Sequence, residues 1–281
     1  MDERAALARI ADLVPAAGDD AAVLGRTVVT IDMLHERTDF PPGTTRYTQG
    51  WRAVGASLSD VAAMGADATG AVAVYGAPNF DPDALEEFVR GARDVCERVG
   101  AEYVGGDLDD TDEFTTATTA VGDTDSPVFR SGANPGDVVC VTGELGRSAA
   151  ALDAFATGDH ERGNELFRFT PRVRAGMALA EHATAMMDSS DGLARSLHQL
   201  AEASDCGFSV DSTAVPVVDD VEFERAMTFG EDFELVCTLP PGAVDAVESI
   251  DLDVPLSVLG EVTDSGVLLD GDPLADEGYT H

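Results

Sequence analysis

The sequence predicts an α+β protein of two domains, and three observations lead there. Segments with 3.6-residue apolar periodicity alternate with short β-rich runs along the whole chain, with no low-complexity tract and no internal repeat. The run FTTATTAV (114–121) alternates β-branched residues with alanine, as a strand of an antiparallel sheet does, so a doubly wound parallel sheet is not indicated. Just after it, FRSGANPGD (129–137) clusters Ser, Gly, Asn and Pro between two β-rich runs, which marks a domain boundary. The expected domains are 1–134, with a mixed or antiparallel sheet, and 135–281, itself α+β. At 281 residues and 44% apolar content, each can bury a core.

Taken in order, helical periodicity falls at about 3–14, 46–64, 82–99, 146–157, 160–168, 171–184, 193–204 and 241–249. Strands read at TVVTI, GAVAVY, EYVGG, TTATTAV, DVVCVTG, AMM, FSV, FELVCTL, SVLGEV and GVLLD. The opening MDERAALARIADLV is an acidic amphipathic helix start rather than a basic leader with an apolar core, and no apolar run approaches about 18 residues. A soluble cytoplasmic protein is expected. Cys96, Cys140, Cys206 and Cys237 are too dispersed for a zinc or C-x-x-C motif and read as core thiols.

Charge excludes more than it proves. With 53 acidic against 17 basic residues, all of the latter Arg, the formal charge of −36 repels nucleic acid and anionic membranes. Such self-repulsion strains the compact state in dilute buffer and is relieved by screening in a high-salt cytosol. Most of the acidity is then adaptation.

Five acidic stations stand out from that background because each lies beside apolar or glycine-rich sequence: GDDAAVL (18–24), VVTIDML (28–34), SLSDVAAMGA (57–66), YVGGDLDD (103–110) and AMMDSSDGL (185–193). In the last, Asp188 and Asp191 could be the N-cap and N3 residues of a capping box opening the next helix, or ligands. Asp60 shares a helix face with Ser57, Ala56 and Met64, and no Arg occurs from 53 to 89 to pair with it. If Asp20, Asp32, Asp60, Asp107, Asp188 and Asp191 converge, each pair at about 4 Å repels by on the order of 4 kcal/mol at an effective dielectric near 20. A cleft of that kind must hold cations. Oxygen ligands without His or Cys point to a hard ion, Mg²⁺ before Zn²⁺, shared with nucleotide phosphates.

The lysine-dependent nucleotide motifs are impossible in a chain without Lys. Phosphate contacts must come from metal, Arg and backbone N–H groups, for which Gly105, Gly106, Gly143 and Arg130 are placed, although the glycines could equally be tight turns. His35, His160, His182 and His198 lack partner spacing and receive no ligand role.

The order GDDAAVL, TID, LSDVAAMGAD, GGD, RSGANPGD, VTG, TPR, DSSDGL, ASDCG, GEDFEL and GYTH, covering nearly the whole length, resembles the thiamine-monophosphate kinase family of the aminoimidazole-ribonucleotide synthetase superfamily. The resemblance implies an N-terminal domain that dimerises through its sheet and an ATP cleft between the domains with several Mg²⁺. It implies Asp20, Thr30, Asp32, Asp60, Asp107, Asp188 and Asp191 as metal ligands, Gly106, Arg130 and Ser190 on ATP, and Glu231 and Tyr279 on the thiamine moiety. Asp39 stands where the family commonly has a substrate-side His, Ile31 where it has the Thr of a Thr-Asp pair, and Phe229 where GGED has its first Gly. The implied reaction is ATP plus thiamine monophosphate giving ADP and thiamine diphosphate, with catalysis by positioning and metal rather than a general base. The rivals are another ATP-dependent synthetase of that superfamily and a non-catalytic acidic cation-binding protein.

Dilution from molar KCl into low ionic strength is expected to unfold the protein, with Mg²⁺ and ATP giving partial rescue through ligand linkage. Circular-dichroism melting at graded KCl checks this. An unchanged melting temperature in low salt contradicts it.

Overall fold

The structure is a computed structural model that describes residues 9–10, 13–14 and 17–279. The helix expected at about 3–14 falls largely outside the described residues.

The N-terminal sheet contains β1 (Ala22–Leu24), β2 (Thr27–Val29), β3 (Asp32–His35), β4 (Asp67–Ala77), β5 (Glu102–Asp110) and β6 (Thr115–Asp123). Its order is β1-β2-β6-β4-β5, with β3 also paired to β6. Only β4 and β5 run parallel; every other pair is antiparallel. The threonine-rich strand is therefore the centre of a mixed sheet. TVVTI forms β2 only as far as Val29, and Thr30 and Ile31 make a break from which β3 starts. The short helix α1 (Glu36–Asp39) follows.

Two helices cover one face of this sheet. Helix α2 (Arg46–Ala63) begins at Thr45, whose side chain accepts from Thr48 N at 3.2 Å. Helix α3 (Pro82–Val99) has Asp81 as its cap, Pro82 in its first turn and left-handed Gly100 at its end. Fourteen of the eighteen residues of α2 are buried, so it is wrapped by protein on nearly every side. The opposite sheet face is open. Register places Met33, Ala117, Val74 and Asp107 in one row on it, with Val72 nearby, and Ile31 is also exposed.

The second sheet contains β7 (Val138–Thr142), β8 (Ala185–Asp188), β9 (Gly207–Val210), β10 (Leu235–Leu239), β11 (Leu256–Thr263), β12 (Gly266–Leu269) and β13 (Asp272–Pro273), in the order β13-β12-β9-β11-β7-β10-β8. Between them run α4 (Arg147–Ala156), α5 (His160–Phe167), α6 (Val173–Ala180), α7 (Leu193–Ser204), α8 (Phe223–Thr228) and α9 (Val244–Glu248). Both faces of the central strands are covered. Cys140, Cys237 and Met186 join the core containing Leu58 and Val61 of α2, whereas Val141, Val236 and Met187 pack with Leu193, Leu197 and Leu200 of α7. All four cysteines are free and buried. FELVCTL begins its strand only at Leu235, because Phe233 has φ 55° and cannot continue a β ladder.

Helix α2 touches its neighbours backbone to backbone. A Cβ on Gly91 of α3 would lie 1.9 Å from Tyr47 O, and one on Gly50 of α2 would lie 2.1 Å from Phe88 O. Gly91→Ala must push the helices apart and should cost about 1–3 kcal/mol. Thermal melting reads this as a fall of at least a few degrees; an unchanged melting temperature contradicts the close contact.

Candidate functional site

Three carboxylates from distant parts of the chain meet where α2 passes between the sheets. Asp20 comes from the loop before β1, Asp60 from the last turns of α2, and Asp188 from the end of β8. Their oxygens lie within 4.8 Å of one another, the only such acidic, His or Cys group among the described residues. Asp188 is 2% exposed with the buried Ser59 Oγ beside it, and among the described residues its Oδ2 meets no donor in hydrogen-bond geometry. Thr30 Oγ1 donates to Asp60 Oδ2 at 2.5 Å, and Ser57 Oγ donates to Asp32 Oδ2 at 2.5 Å, which brings Asp32 to the edge of the group. Arg130 supplies the facing charge. Its Nη2 and Nε reach Asp20 Oδ1 and Oδ2 at 2.7 and 3.2 Å, while its backbone N donates to Asp19 Oδ1 at 2.7 Å.

Titration follows from this crowding. Burial, then repulsion by Asp20, pushes Asp188 up to about 8. Burial followed by Asp32, Asp188 and Asp20 pushes Asp60 well above the usual carboxylate range, and burial raises Asp32 as well. Burial works against the charge of Arg130, but Asp20, Asp188 and Asp60 outweigh it and hold the guanidinium firmly protonated.

The capping-box alternative for Asp188 and Asp191 is corrected by the structure. Helix α7 starts after Gly192 with no side-chain cap; Asp188 ends the strand and Asp191 sits in the loop between. That loop is tied to residues expected on the substrate side. Ser190 O accepts from Glu231 N at 2.6 Å, and Asp191 O accepts from Tyr279 N at 3.0 Å. Tyr279 is not frayed: its hydroxyl donates to Thr38 O at 3.3 Å and its ring meets Phe229 edge-on at 5.7 Å. Burial, then the charges of Glu231 and Asp39, raises its pKa, so both of those carboxylates lie near its ring hydroxyl. Asp39 is half-buried and accepts from His35 N at 2.6 Å.

Asp107 does not join the group. It is exposed on the open face of β5, paired with Val74. Its neighbour Gly106 aligns with Asp32 through Ala73 and Thr118, three strand spacings or about 14 Å away. Gly106 itself is exposed and packs against the neighbouring strand β4, where a Cβ would lie 1.7 Å from Ala73 O.

Several site residues escaped the sequence reading. Asp232 accepts from Gly146 N and Ser148 N at 2.6 and 2.8 Å, and burial raises it to about 6. Glu234 pairs with Arg172 and accepts from Thr142 Oγ1 at 2.6 Å. Arg52 lies buried on α2 against Glu231. The available signal was contextual: an Arg inside the apolar run of α2, and three acids in GEDFEL where one was singled out.

Residues 18–124 match the family AIR synthase related protein, N-terminal domain, and residues 134–269 match its C-terminal domain. The thiamine-monophosphate kinase of Halobacterium salinarum is 65% identical over all of both chains. That of Escherichia coli K12 is 32% identical over 94% of this chain and 90% of its own. Among solved structures, AaThiL complexed with AMPPCP and TMP superposes with a TM-score of 0.90 at 26% identity, covering 100% of this chain and 97% of that one.

The raised Asp188 pKa predicts a pH dependence for metal-free protein in molar KCl. Folded Asp188 keeps a proton that the unfolded chain releases above about pH 4, so its contribution to stability is complete below that pH and is lost as pH rises toward about 8. The slope attributable to one group is at most about 1.4 kcal/mol per pH unit. Denaturant midpoints from pH 5 to 8 should fall less steeply in Asp188→Asn than in the wild type. Parallel slopes contradict the assignment.

Proposed function

This chain belongs to the thiamine-monophosphate kinase family, and from that premise we propose that it transfers the γ-phosphoryl group of ATP to thiamine monophosphate, releasing ADP and thiamine diphosphate. One observation carries the reading at the level of the site. The loop bearing Ser190 and Asp191 adjoins the carboxylate group through Asp188 and is hydrogen-bonded to Glu231 and Tyr279, so phosphate-side and acceptor-side residues share one short segment.

The donor set suits Mg²⁺: among the described residues it has three close carboxylates, no His or Cys, and a buried Asp188 oxygen that meets no hydrogen-bond donor. Asp20, Asp60 and Asp188 would hold it, with Thr30, Asp32 and Asp191 around them. Bound there, Mg²⁺ would neutralise charge on the phosphates and favour in-line geometry. The side chains do the remaining work. Arg130 keeps a permanent positive charge beside the phosphates, and Gly106 leaves backbone free of any side chain. Tyr279 offers an aromatic face to the aminopyrimidine, and Glu231 and Asp39 favour the thiazolium cation. The acceptor phosphate is ionised near pH 7, so one of its oxygens attacks the γ-phosphorus without a strong general base. No catalytic side chain is assigned beyond these.

The same reading divides the chain at 134/135 and places the enzyme in the cytoplasm as a homodimer. Among the described residues no helix is long and apolar enough to cross a membrane. The open sheet face, with Met33, Val72 and Val74 exposed, is the surface a second copy would cover. Asp107 then belongs to the site of the facing copy, since it cannot reach the carboxylates of its own chain.

Incubation with ATP, Mg²⁺ and thiamine monophosphate in molar KCl should yield thiamine diphosphate on chromatography; folded protein giving none removes the proposal. Asp107→Asn and Asp60→Asn homodimers should each be nearly inactive. Refolding the two together should restore roughly a quarter of wild-type activity, because half the dimers are mixed and each of those rebuilds one of two sites. Mixtures that stay inactive place Asp107 outside a shared site.

A further inference from the structure

Arg52 is a guanidinium only 2% exposed, on the same helix as Asp60 and eight residues before it, about 12 Å along the axis. Nη1 donates to Phe167 O at 2.7 Å and more distantly to Ser148 Oγ at 3.5 Å. Nη2 donates to Glu231 O at 2.9 Å and pairs with the Glu231 carboxylate. The guanidinium lies 3.6 Å over the Phe167 ring, with Phe169 and Phe233, themselves stacked 4.3 Å apart, at 5.3 and 5.4 Å. Burying a charge here is a poor way to stabilise a core, because an apolar residue of similar volume avoids the desolvation. Its geometry has another consequence.

Glu231 has φ 64°, a left-handed backbone that disfavours a side chain and persists only where neighbours over-determine it. Three bonds do so. Its N donates to Ser190 O, and its O accepts from Arg52 and, at 2.6 Å, from Ser148 Oγ. Among the described residues Arg52 alone grips both the backbone and the carboxylate of Glu231, through Nη2, while the other arm of its planar fork, Nη1, is anchored on Phe167 O. Building on the reading of the acceptor side above, we infer that Arg52 is a positioning residue that fixes Glu231 for the acceptor and thereby sets affinity for a cationic, aromatic phosphate ester. Being buried, it touches neither substrate, and its effect is confined to the acceptor side because the nucleotide side is held by Asp20, Asp60, Asp188 and Arg130.

The test is steady-state kinetics on Arg52→Met, Arg52→Lys, Glu231→Gln and the Arg52→Met/Glu231→Gln double variant in molar KCl, each checked for folding by circular dichroism. Arg52→Met should raise KM for thiamine monophosphate ten-fold or more and leave KM for ATP within about two-fold. Arg52→Lys should lie between it and the wild type. The double variant should be no worse than the poorer single by more than about two-fold, since both changes remove one contact. An unchanged acceptor KM in folded Arg52→Met, an equal rise for both substrates, or full multiplication of the two effects overturns the inference. If Arg52→Met does not fold, Arg52→Lys decides alone: a rise confined to the acceptor supports the role, and no rise overturns it. Wild-type protein that makes no thiamine diphosphate removes the reaction assigned above, whereas wild-type turnover with any overturning result removes only the role of Arg52.

Discussion

Repulsion among Asp20, Asp60 and Asp188 is the constraint on which the rest of the site depends. At separations up to 4.8 Å and an effective dielectric near 20, each pair opposes folding by about 3–4 kcal/mol when ionised. Arg130 offsets part of this through its two-point contact with Asp20. What remains must be met by protons, as the raised Asp60 and Asp188 show, or by a cation. A site of this kind collapses outward unless its parts are held. The glycine contacts of α2 with α3, and its burial between the two sheets, supply that rigidity.

Helix α2 is also the measure between the two halves of the site. Asp60 stands at its carboxylate end and Arg52 two turns earlier beside the Glu231 loop, so the spacing of the carboxylate group and that loop is set by helical rise rather than by flexible loops. On the far side, the 188–192 segment repeats the connection in one short stretch. It carries Asp188 into the carboxylate group, while its Ser190 and Asp191 carbonyls hold Glu231 and Tyr279.

Much of this was legible in the residues. Acids next to apolar or glycine-rich sequence proved to be acids in the interior, because an Asp flanked by core residues has few ways to reach solvent; Asp20, Asp60 and Asp188 are the cases. The central antiparallel strand was visible in FTTATTAV for the same period-2 reason. What stayed hidden is what period and neighbourhood cannot encode. Asp107 looked like its fellows, but the parallel β4–β5 register, with its irregularity after Ala71, turns it to the open face. The pairing of Arg52 with Glu231 spans 179 residues, and the left-handed Phe233 that shortens the predicted strand reflects packing on Phe169 rather than any local turn signal. Tyr279, near a chain end that fraying would claim by default, is fixed by bonds to α1 and to the 188–192 segment.

The −36 charge sets the conditions for every measurement, and it is that of a halophilic chain, in keeping with 65% identity to the enzyme of Halobacterium salinarum. Against that diffuse field the buried carboxylate group is a local and separable effect. The most direct test is the melting temperature of wild type and Asp60→Asn in molar KCl, with and without Mg²⁺. The account predicts that wild type is raised by Mg²⁺, that Asp60→Asn is raised little or not at all, and that without Mg²⁺ the variant melts at or above the wild type because a carboxylate that must otherwise repel its neighbours or hold a proton is gone. A variant that melts lower without Mg²⁺ and responds to Mg²⁺ like the wild type would show that Asp60 is a structural partner and not part of a cation site.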